Sequence, residues 1–471
     1  MSSVIRLAPI KRVEGHGTIS IHLGDDGRVA DAHFNSIEFR GFEKLVEGRM
    51  IWEMPLVTSR ICGICPVSHH LAAVKAAEDL LGVTPPKAGV MLRELMHTGG
   101  LIQDHALHFF FLAGPDFLTG DGASRDLLGV LGARPDLAKR AIGLRKLGQG
   151  VVEAVGGQAG HPVTAIPGGV TKPLDPDVRK ALLAQARAAL PEAVEAERLA
   201  RQCTLRLIDE NDDIPVTPTR FLAQTRDDGT LGFYDGTVRI VPPDGLHVAE
   251  FPASDFRSHI AERIVPWSYA KMPYIRELGE IEGSYRVGPL ARTSIVEWAS
   301  GPLSDAALAD FRQELGRPVQ HPLAYHWARM IELLAAVERL VVLLSDDEII
   351  STDVRVKVER RAGCGAAAVE APRGTLFHYY EADEVGRVTK AELVVATTQN
   401  NAAINEAVRA AADGAIADGR ISDGALRRME VGIRAYDPCL SCSTHEIGRM
   451  PLVVRLYGPG GVLLDQQGVS E

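Results

Sequence analysis

The fold of this chain is decided by Arg-Ile-Cys-Gly-Ile-Cys at residues 60–65 and Asp-Pro-Cys-Leu-Ser-Cys at residues 437–442. The two Cys-x-x-Cys pairs use four of the six cysteines in a chain of 471 residues. This spacing lets both sulfurs of a pair point at one ion. The two pairs together therefore predict a metal site.

The distance between the pairs along the chain narrows the kind of site. Cys65 and Cys439 lie 374 positions apart (439 − 65). A structural zinc site normally takes both of its pairs from a stretch of roughly 15 to 20 residues. A site that joins the two ends of a large chain predicts burial at the centre of the fold, where thiolates suit zinc, nickel or iron. The spacing alone leaves structural zinc, a redox disulfide pair and a catalytic metal open.

Longer motifs surround both pairs. The first reads Arg-x-Cys-x-x-Cys-x-x-x-His and ends at His69, and the second reads Asp-Pro-Cys-x-x-Cys-x-x-His and ends at His445. Further motifs are Pro-Ile-Lys-Arg-Val-Glu-Gly-His-Gly at 9–17, Glu-Phe-Arg-Gly-Phe-Glu-Lys at 38–44 and Glu-Ala-Pro-Arg-Gly at 370–374. In this order, and over essentially the whole chain, they resemble the large (alpha, catalytic) subunit of nickel-iron hydrogenases.

Composition excludes other classes of protein. The net charge is −10 with 24% charged residues, and no basic stripe for nucleic acid is present. No apolar run approaches the roughly 18 to 20 residues that span a membrane. The N-terminus has no signal-peptide core. We expect a cytoplasmic protein with no membrane span and no nucleic-acid partner.

Periodicity predicts an α+β, mainly α fold, with a bundle of long helices and small peripheral sheets. Residues 4–39 alternate as a β-hairpin, and strands are also predicted within 230–252 and 368–396, as surface sheets. A helix is predicted to begin at Pro66, and Pro438 biases Asp437 out of the α region. The other helices are predicted over 88–113, 136–155, 177–208, 322–344, 401–412 and 424–435.

The resemblance implies a metal set for the four cysteines. It places Cys62 and Cys439 as terminal ligands of nickel. It places Cys65 and Cys442 as bridges to an iron that carries carbon monoxide and cyanide. The activity implied is reversible heterolytic cleavage of H2 into protons and electrons.

The resemblance also implies roles for residues around the metals. Glu14 would carry protons away from a terminal thiolate, and His69 would donate to a bridging thiolate. Arg373 would overhang the open metal position, with Asp104 and Asp437 as its carboxylate partners. We expect the buried thiol Cys203, the thiol Cys364 and the histidines 16, 70, 105 and 108 to be structural.

A third metal, magnesium, is implied near the C-terminus. Its ligands would be Glu43, His445 and the backbone carbonyl of Asn401, oxygen donors being typical for a hard cation.

The residues after His445 predict a processing step. In members of the family the mature chain ends at this histidine, after an endopeptidase removes a tail once nickel is in place. Here 26 residues follow (471 − 445). We expect one interlocked domain over 1–445 and a cleavable extension over 446–471. In the uncleaved chain the extension should keep the second cysteine pair displaced or open to solvent.

Within the family, the motifs at 38–44, 394–401 and 433–442 are similar to the cytoplasmic multimeric branch, with NAD(P)-linked enzymes and deazaflavin-non-reducing relatives that serve heterodisulfide reductase. The chain has no dinucleotide fingerprint or iron-sulfur cysteine run of its own. The partners implied are an iron-sulfur small subunit, a flavoprotein (diaphorase) or heterodisulfide reductase-type subunit, the maturation endopeptidase and nickel chaperones.

Two alternatives come from other classes of protein. A hydrogen-sensing regulatory subunit has the same metal centre but usually lacks the cleavable extension. A complex I-like quinone-binding or structural subunit shares the fold but lacks the metal-binding thiols, and all four are present here.

Overall fold

The structure is a computed structural model that describes residues 12–15, 17–26, 28–36, 41–119, 127–211, 214, 216, 218–246, 248–413, 416–417, 420–443 and 453–467. Predictions that fall on His16, His445 or residues 4–11 and 37–40 lie outside the described residues.

The α-helices are numbered here in chain order. They are α1 (Phe42–Leu45), α2 (Met54–Thr58), α3 (Pro66–Leu81), α4 (Lys87–Leu107), α5 (Leu127–Ala133), α6 (Pro135–Gly156), α7 (Pro176–Glu210), α8 (Phe256–His259), α9 (Gly279–Glu282), α10 (Pro289–Ile295), α11 (Pro302–Leu315), α12 (Tyr325–Ser345), α13 (Ala396–Gln399), α14 (Asn401–Ala412), α15 (Asp423–Tyr436) and α16 (Leu440–Ser443).

The long helices form the predicted central bundle. Helix α4 packs against α6 and α12, and α12 packs against α7. All four were predicted from the 3.6-residue repeat of their apolar side chains, which here face the common core. At the end of α4 the helix widens into one π-helical turn, His108–Ala113, followed by a 3₁₀ turn, Gly114–Asp116.

The strands are likewise numbered in chain order. They are β1 (Gly17–Leu23), β2 (Val29–Ser36), β3 (Ala165–Ile166), β4 (Gly169–Val170), β5 (Arg220–Thr225), β6 (Thr237–Val241), β7 (Ala249–Phe251), β8 (Ile260–Val265), β9 (Ser268–Ile275), β10 (Tyr285–Arg286), β11 (Gly363–Ala371), β12 (Gly374–Ala382), β13 (Val388–Val394), β14 (Ile416–Ala417), β15 (Arg420–Ile421), β16 (Val453–Tyr457) and β17 (Leu463–Gln467).

The C-terminal residues extend the N-terminal hairpin. The predicted hairpins β1–β2 and β16–β17 are both present, and together they form one sheet of order β17-β16-β1-β2. Strand β16 runs parallel to β1, with Thr18 opposite Val453 and His22 opposite Tyr457. The extension therefore covers the edge of β1 that β2 leaves open.

The prediction that the sheet near residues 368–396 lies at the surface was wrong. Residues 365–380, in β11 and β12, are all buried. Side chains alternate between two cores, with Ala366, Ala368 and Phe377 in the smaller one and Val369 and Leu376 in the main one. Because both faces are covered, and α3 packs on β11 and β12, the run is apolar throughout.

Both cysteine pairs lie at helix ends, as predicted. Pro66 is the first residue of α3 and Cys65 is its N-cap. Asp437 follows α15 in the left-handed conformation, with φ of 56° and ψ of 55°. This conformation is uncommon for a residue other than glycine, and it turns the chain sharply into the second pair.

Among the helices of the described residues, none is both long enough and apolar enough to cross a membrane.

Close approach of α4 and α6 generates a prediction about stability. A Cβ on Gly148 of α6 would overlap the backbone carbonyl of Gly99 and lie 2.7 Å from the amide nitrogen of Gln103. We expect Gly148→Ala to lower the free energy of unfolding by about 1–3 kcal/mol, because backbone cannot move aside cheaply.

The matched control is Gly143→Ala in the same helix, where nothing lies within 4 Å of the added carbon. Relief of the glycine penalty should make that variant more stable, by about 0.8–1.0 kcal/mol. Denaturant unfolding measures both, and a neutral Gly148→Ala would refute the tight α4–α6 contact.

Candidate metal centre

The structure brings the four motif cysteines together. The sulfurs of Cys62, Cys65, Cys439 and Cys442 all lie within 4.8 Å of one another, and all four residues are buried. Sγ of Cys62 is 3.3 Å from Sγ of Cys439, and Sγ of Cys65 is 3.3 Å from Sγ of Cys442. Each close pair therefore joins one end of the chain to the other.

Local backbone shapes the first pair. The amides of Ile64 and Cys65 donate to Sγ of Cys62 at 3.3 and 3.2 Å. Burial alone would raise the pKa of the Cys62 thiol, but hydrogen bonds with the other three sulfurs and the charge of Arg373 outweigh it. That pKa is well below its ordinary value, so the cluster favours a thiolate at Cys62.

The second pair is fixed by two neighbouring segments. The amide of Cys439 donates to the hydroxyl of Thr397 at 3.0 Å, and the amide of Leu440 donates to the carbonyl of Glu14 at 2.8 Å. The expectation that the uncleaved tail keeps this pair displaced or open to solvent was wrong. Cys439 is 0% exposed and Cys442 is 3% exposed while β16 is paired with β1. The pair is held by contacts that precede the extension.

Glu14 lies directly on the cluster. Its Oε2 is 3.0 Å from Sγ of Cys439 and accepts a hydrogen bond from the amide of Ser441 at 2.8 Å, while Oε1 accepts one from the Ser441 hydroxyl. Burial, followed by the charge of Cys62, raises the pKa of Glu14 above its ordinary value. The close approach depends on Gly15, where a Cβ would lie 2.8 Å from the Ser441 amide nitrogen.

Arg373 lies between two buried carboxylates. Its Nη1 donates to Asp104 at 3.0 Å, its Nη2 donates to the Asp437 carboxylate at 3.1 Å, and its Nε donates to the Asp437 carbonyl at 2.7 Å. Burial opposes its charge, yet the two carboxylates keep the pKa of Arg373 above its ordinary value. Burial likewise raises the pKa of Asp104 to about 7 against the opposing charge of Arg373. These three predicted residues therefore form one fixed group beside the cysteines.

The histidines divide into two kinds. His69 is fully buried, and its Nδ1 lies 3.3 Å from Nε2 of His378, whose Nδ1 is 2.7 Å from the hydroxyl of Tyr380. His70 donates from Nδ1 to the carbonyl of Pro55 at 2.8 Å and accepts at Nε2 from Ala165, as expected of a structural histidine. Burial lowers the pKa of His70 to about 4, so its ring stays neutral.

The residues predicted for a magnesium site are only partly described. Both oxygens of Glu43 are within 3.1 Å of Lys271 Nζ, and Oε1 also accepts from the amide of Leu393. Asn401 is the first residue of α14 and is 3% exposed. His445 lies outside the described residues, so the magnesium site stays a prediction.

Two residues that hold the centre were not identified from the sequence. Ser441 fixes the Glu14 carboxylate, and Thr397 fixes the Cys439 amide. Both lie inside motifs that the sequence analysis quotes, but hydroxyl side chains carry no metal signal of their own. The remaining cysteines, buried Cys203 and exposed Cys364, lie outside the cluster as expected.

The donor set fits soft metals. The group of ligand atoms within 4.8 Å of one another contains only cysteine sulfurs. Four thiolates suit nickel, iron or zinc, and sulfur can bridge two metals. The arrangement differs from a plain structural zinc site because a buried carboxylate touches one sulfur and a paired arginine stands beside the cluster.

Comparison with known proteins identifies the family. The profile described as "Nickel-dependent hydrogenase" matches residues 40–124 and 222–445, and one described as "HoxL-like" matches residues 4–39. The beta subunit of the NAD-reducing hydrogenase HoxS from Cupriavidus necator is 40% identical, over 99% of this chain and 100% of that protein. The matching component of the F420-non-reducing hydrogenase vhu from Methanococcus voltae is 44% identical, over 87% of this chain and 98% of its own length.

Solved structures agree. A crystal structure of NAD+-reducing [NiFe]-hydrogenase in the H2-reduced state superposes with a TM-score of 0.88 and 39% identity, covering 93% of this chain and 98% of that one. Sequence, fold and the four-cysteine cluster lead to one conclusion: the chain belongs to the nickel-dependent hydrogenase family, as a large subunit of the nickel-iron type.

Proposed function

We propose that this large subunit splits H2 at the four-cysteine cluster, with Glu14 as the first carrier of the released proton and Arg373 as a fixed cation beside the reacting position. The observation that carries the proposal is the Glu14 carboxylate held 3.0 Å from Sγ of Cys439. Nickel and iron, when held by the four sulfurs, supply the soft centre at which H2 is polarised.

The proton leaves through side chains of the chain itself. Heterolytic cleavage requires a base close to the reacting position. Sγ of Cys439 serves as that base and passes the proton to Oε2 of Glu14 within hydrogen-bond distance. Ser441 holds both carboxylate oxygens, so Glu14 cannot turn away from the sulfur between turnovers.

Arg373 acts without moving. Its guanidinium is bonded to Asp104 and Asp437 on separate elements, and it is 3% exposed. A buried cation with two anionic partners is fixed in place and keeps its charge. It orients the approach of H2 and favours thiolate forms of the neighbouring cysteines.

Two parts of the metal inventory belong to the proposal as finer points. Beyond its two bridging sulfurs, Cys65 and Cys442, the iron takes carbon monoxide and cyanide ligands, because the described residues add no further donor to the cluster. Magnesium binds at Glu43, with His445 and the Asn401 carbonyl completing its protein ligands. Oxygen donors of this kind suit that ion.

Electrons leave through partner proteins. The chain holds no cysteine group beyond the cluster among the described residues, so it has no iron-sulfur relay of its own there. We propose an iron-sulfur small subunit with, beyond it, a flavoprotein or heterodisulfide reductase-type subunit. The relatives named NAD-reducing and F420-non-reducing support an assembly that works with NAD(P) or another soluble acceptor. A cytoplasmic location is part of the same proposal.

Both alternatives fit less well. A quinone-binding or structural role does not need thiols, yet four of them meet in one buried cluster. A hydrogen sensor would keep the centre but usually lacks an extension after the last motif histidine.

Processing after His445 completes the proposal. The hydrogenase profile ends its match at residue 445, where the motif ends. The residues beyond pair with β1 rather than with the centre. We propose that a maturation endopeptidase removes residues 446–471 after nickel chaperones have delivered the metal.

The first prediction concerns the ligands. Replacing any one of Cys62, Cys65, Cys439 or Cys442 by Ser should abolish hydrogenase activity and lower nickel content, because a harder ligand weakens binding of a soft metal. Elemental analysis of the purified enzyme measures nickel and iron per chain. The control is Cys203→Ser, a buried thiol outside the cluster. Full nickel and activity in any of the four variants would remove that cysteine from the site.

The second prediction concerns Glu14. In the assembled enzyme, Glu14→Gln should keep both metals but slow turnover and H/D exchange by about 10²- to 10⁴-fold, because an amide cannot cycle a proton. Glu14→Asp keeps the acid but shortens its reach, so its rate should lie between. Exchange at the parental rate in Glu14→Gln would show that protons leave by another route.

The third prediction concerns the extension. Intact-mass measurement of active, nickel-loaded enzyme should give a large subunit that ends at His445 and lacks the last 26 residues (471 − 445). Protein produced without nickel should keep them. An active enzyme with the full extension would contradict the processing step.

A further inference from the structure

Asp116 is a buried carboxylate shared by two arginines. It accepts a hydrogen bond from Nη2 of Arg12 at 2.6 Å and two from Arg434, from Nε at 2.6 Å and from Nη2 at 3.0 Å. Burial alone would raise the pKa of Asp116, but the two guanidiniums outweigh it and hold that pKa below its usual range. The carboxylate therefore stays charged and links both arginines.

The three residues belong to the three segments that build the centre. Arg12 lies two residues before Glu14 in the N-terminal segment. Arg434 is in the last turn of α15, just before Asp437 and the second cysteine pair. Asp116 ends the 3₁₀ turn that follows α4, the helix that carries Asp104. One carboxylate thus connects the segment of the proton carrier, the segment of the metal ligands and a helix of the central bundle.

The two arginines are not anchored equally. The end of α15 is held independently, since Nε2 of His108 donates to the carbonyl of Arg434 at 2.8 Å and Arg434 also pairs with Glu430 at 3.1 Å. The side chain of Arg434 is only 2% exposed. Arg12 is 13% exposed, and besides Asp116 it donates to the carbonyl of Leu112 at 2.7 Å.

The N-terminal segment is therefore the side that depends on Asp116. Arg12 has a left-handed backbone with φ of 74°, so its position is imposed by its contacts rather than by local preference. Beyond those contacts, the described residues 12–15 are held by the bridge between Glu14 and Cys439 and by the Leu440 amide.

We propose that Asp116 is a positioning residue for H2 cleavage: acting through Arg12 and Arg434, it holds the segment of Glu14 against the second cysteine pair. The inference rests on the proposed role of Glu14 as proton carrier. Neutralising Asp116 leaves two guanidiniums close together in a buried place. Like charges there repel strongly. Arg12 leaves because it is nearer the surface and has fewer other bonds, and the Glu14 carboxylate shifts away from Cys439.

The test uses the assembled, metal-loaded enzyme. Asp116→Asn keeps the shape of the side chain but removes its charge. We expect nickel and iron at parental levels and H/D exchange slower by at least about tenfold. We also expect the double variant Asp116→Asn/Glu14→Gln to exchange no more slowly than Glu14→Gln alone, because a residue that acts through Glu14 has nothing left to position.

Glu94→Gln is a matched control. Glu94 also lies on α4 and also bonds two arginines, but these are Arg226 and Arg339 rather than arginines of the segments that carry Glu14 or the cysteines. Loss of a two-arginine carboxylate there should leave H/D exchange at the parental rate. If Glu94→Gln slows exchange as much as Asp116→Asn, the effect is general destabilisation and the proposal fails.

Other outcomes decide the proposal as well. Parental exchange in Asp116→Asn overturns it, and so do losses that multiply in the double variant. If Asp116→Asn fails to fold or to hold metals, Arg12→Gln breaks the same bond at its more exposed end and must show the same loss and the same non-additivity. If Glu14→Gln itself exchanges at the parental rate, the proton-carrier proposal has failed. If only Glu14→Gln slows exchange, the Asp116 inference alone is wrong.

Discussion

The structure depends on the meeting of two short thiol motifs from opposite ends of the chain. Sulfurs separated by 377 positions lie 3.3 Å apart in both cross-pairs. Closing so long a loop costs conformational entropy that the sulfurs alone do not return. The bundle of α4, α6, α7 and α12 and the buried strands β11 and β12 supply the apolar burial that stabilises the closed chain. In return, the closed chain excludes water from the centre.

A dry centre requires its charges to be paired. Arg373 has Asp104 and Asp437, and the Asp116 carboxylate has Arg12 and Arg434. Removing one member of such a group is costly, because the other is left buried and charged. The pairing therefore does more than stabilise the fold. It fixes the directions from which a cation and a proton carrier approach the four sulfurs.

Much of this could be predicted from the sequence, for reasons that are local. The long helices follow from apolar repeats, and the end of α15 follows from Pro438, which excludes an α conformation at Asp437. The cysteines, Glu14 and Arg373 lie in motifs that resemble the family. The burial of β11 could not be predicted, because a run rich in alanine and glycine does not reveal what covers its two faces. The link from Asp116 to Arg12 spans 104 positions and joins residue types that are ordinarily exposed, so only the fold reveals it.

The central claim is that four thiolates from both ends of one chain hold nickel and iron together. Anomalous diffraction from crystals of the mature, active enzyme at the nickel and iron absorption edges tests it most directly. The account predicts a nickel peak bonded to all four sulfurs and a separate iron peak bonded to Sγ of Cys65 and Cys442. A single zinc ion within the cluster, or a nickel peak away from these sulfurs in active enzyme, would contradict it.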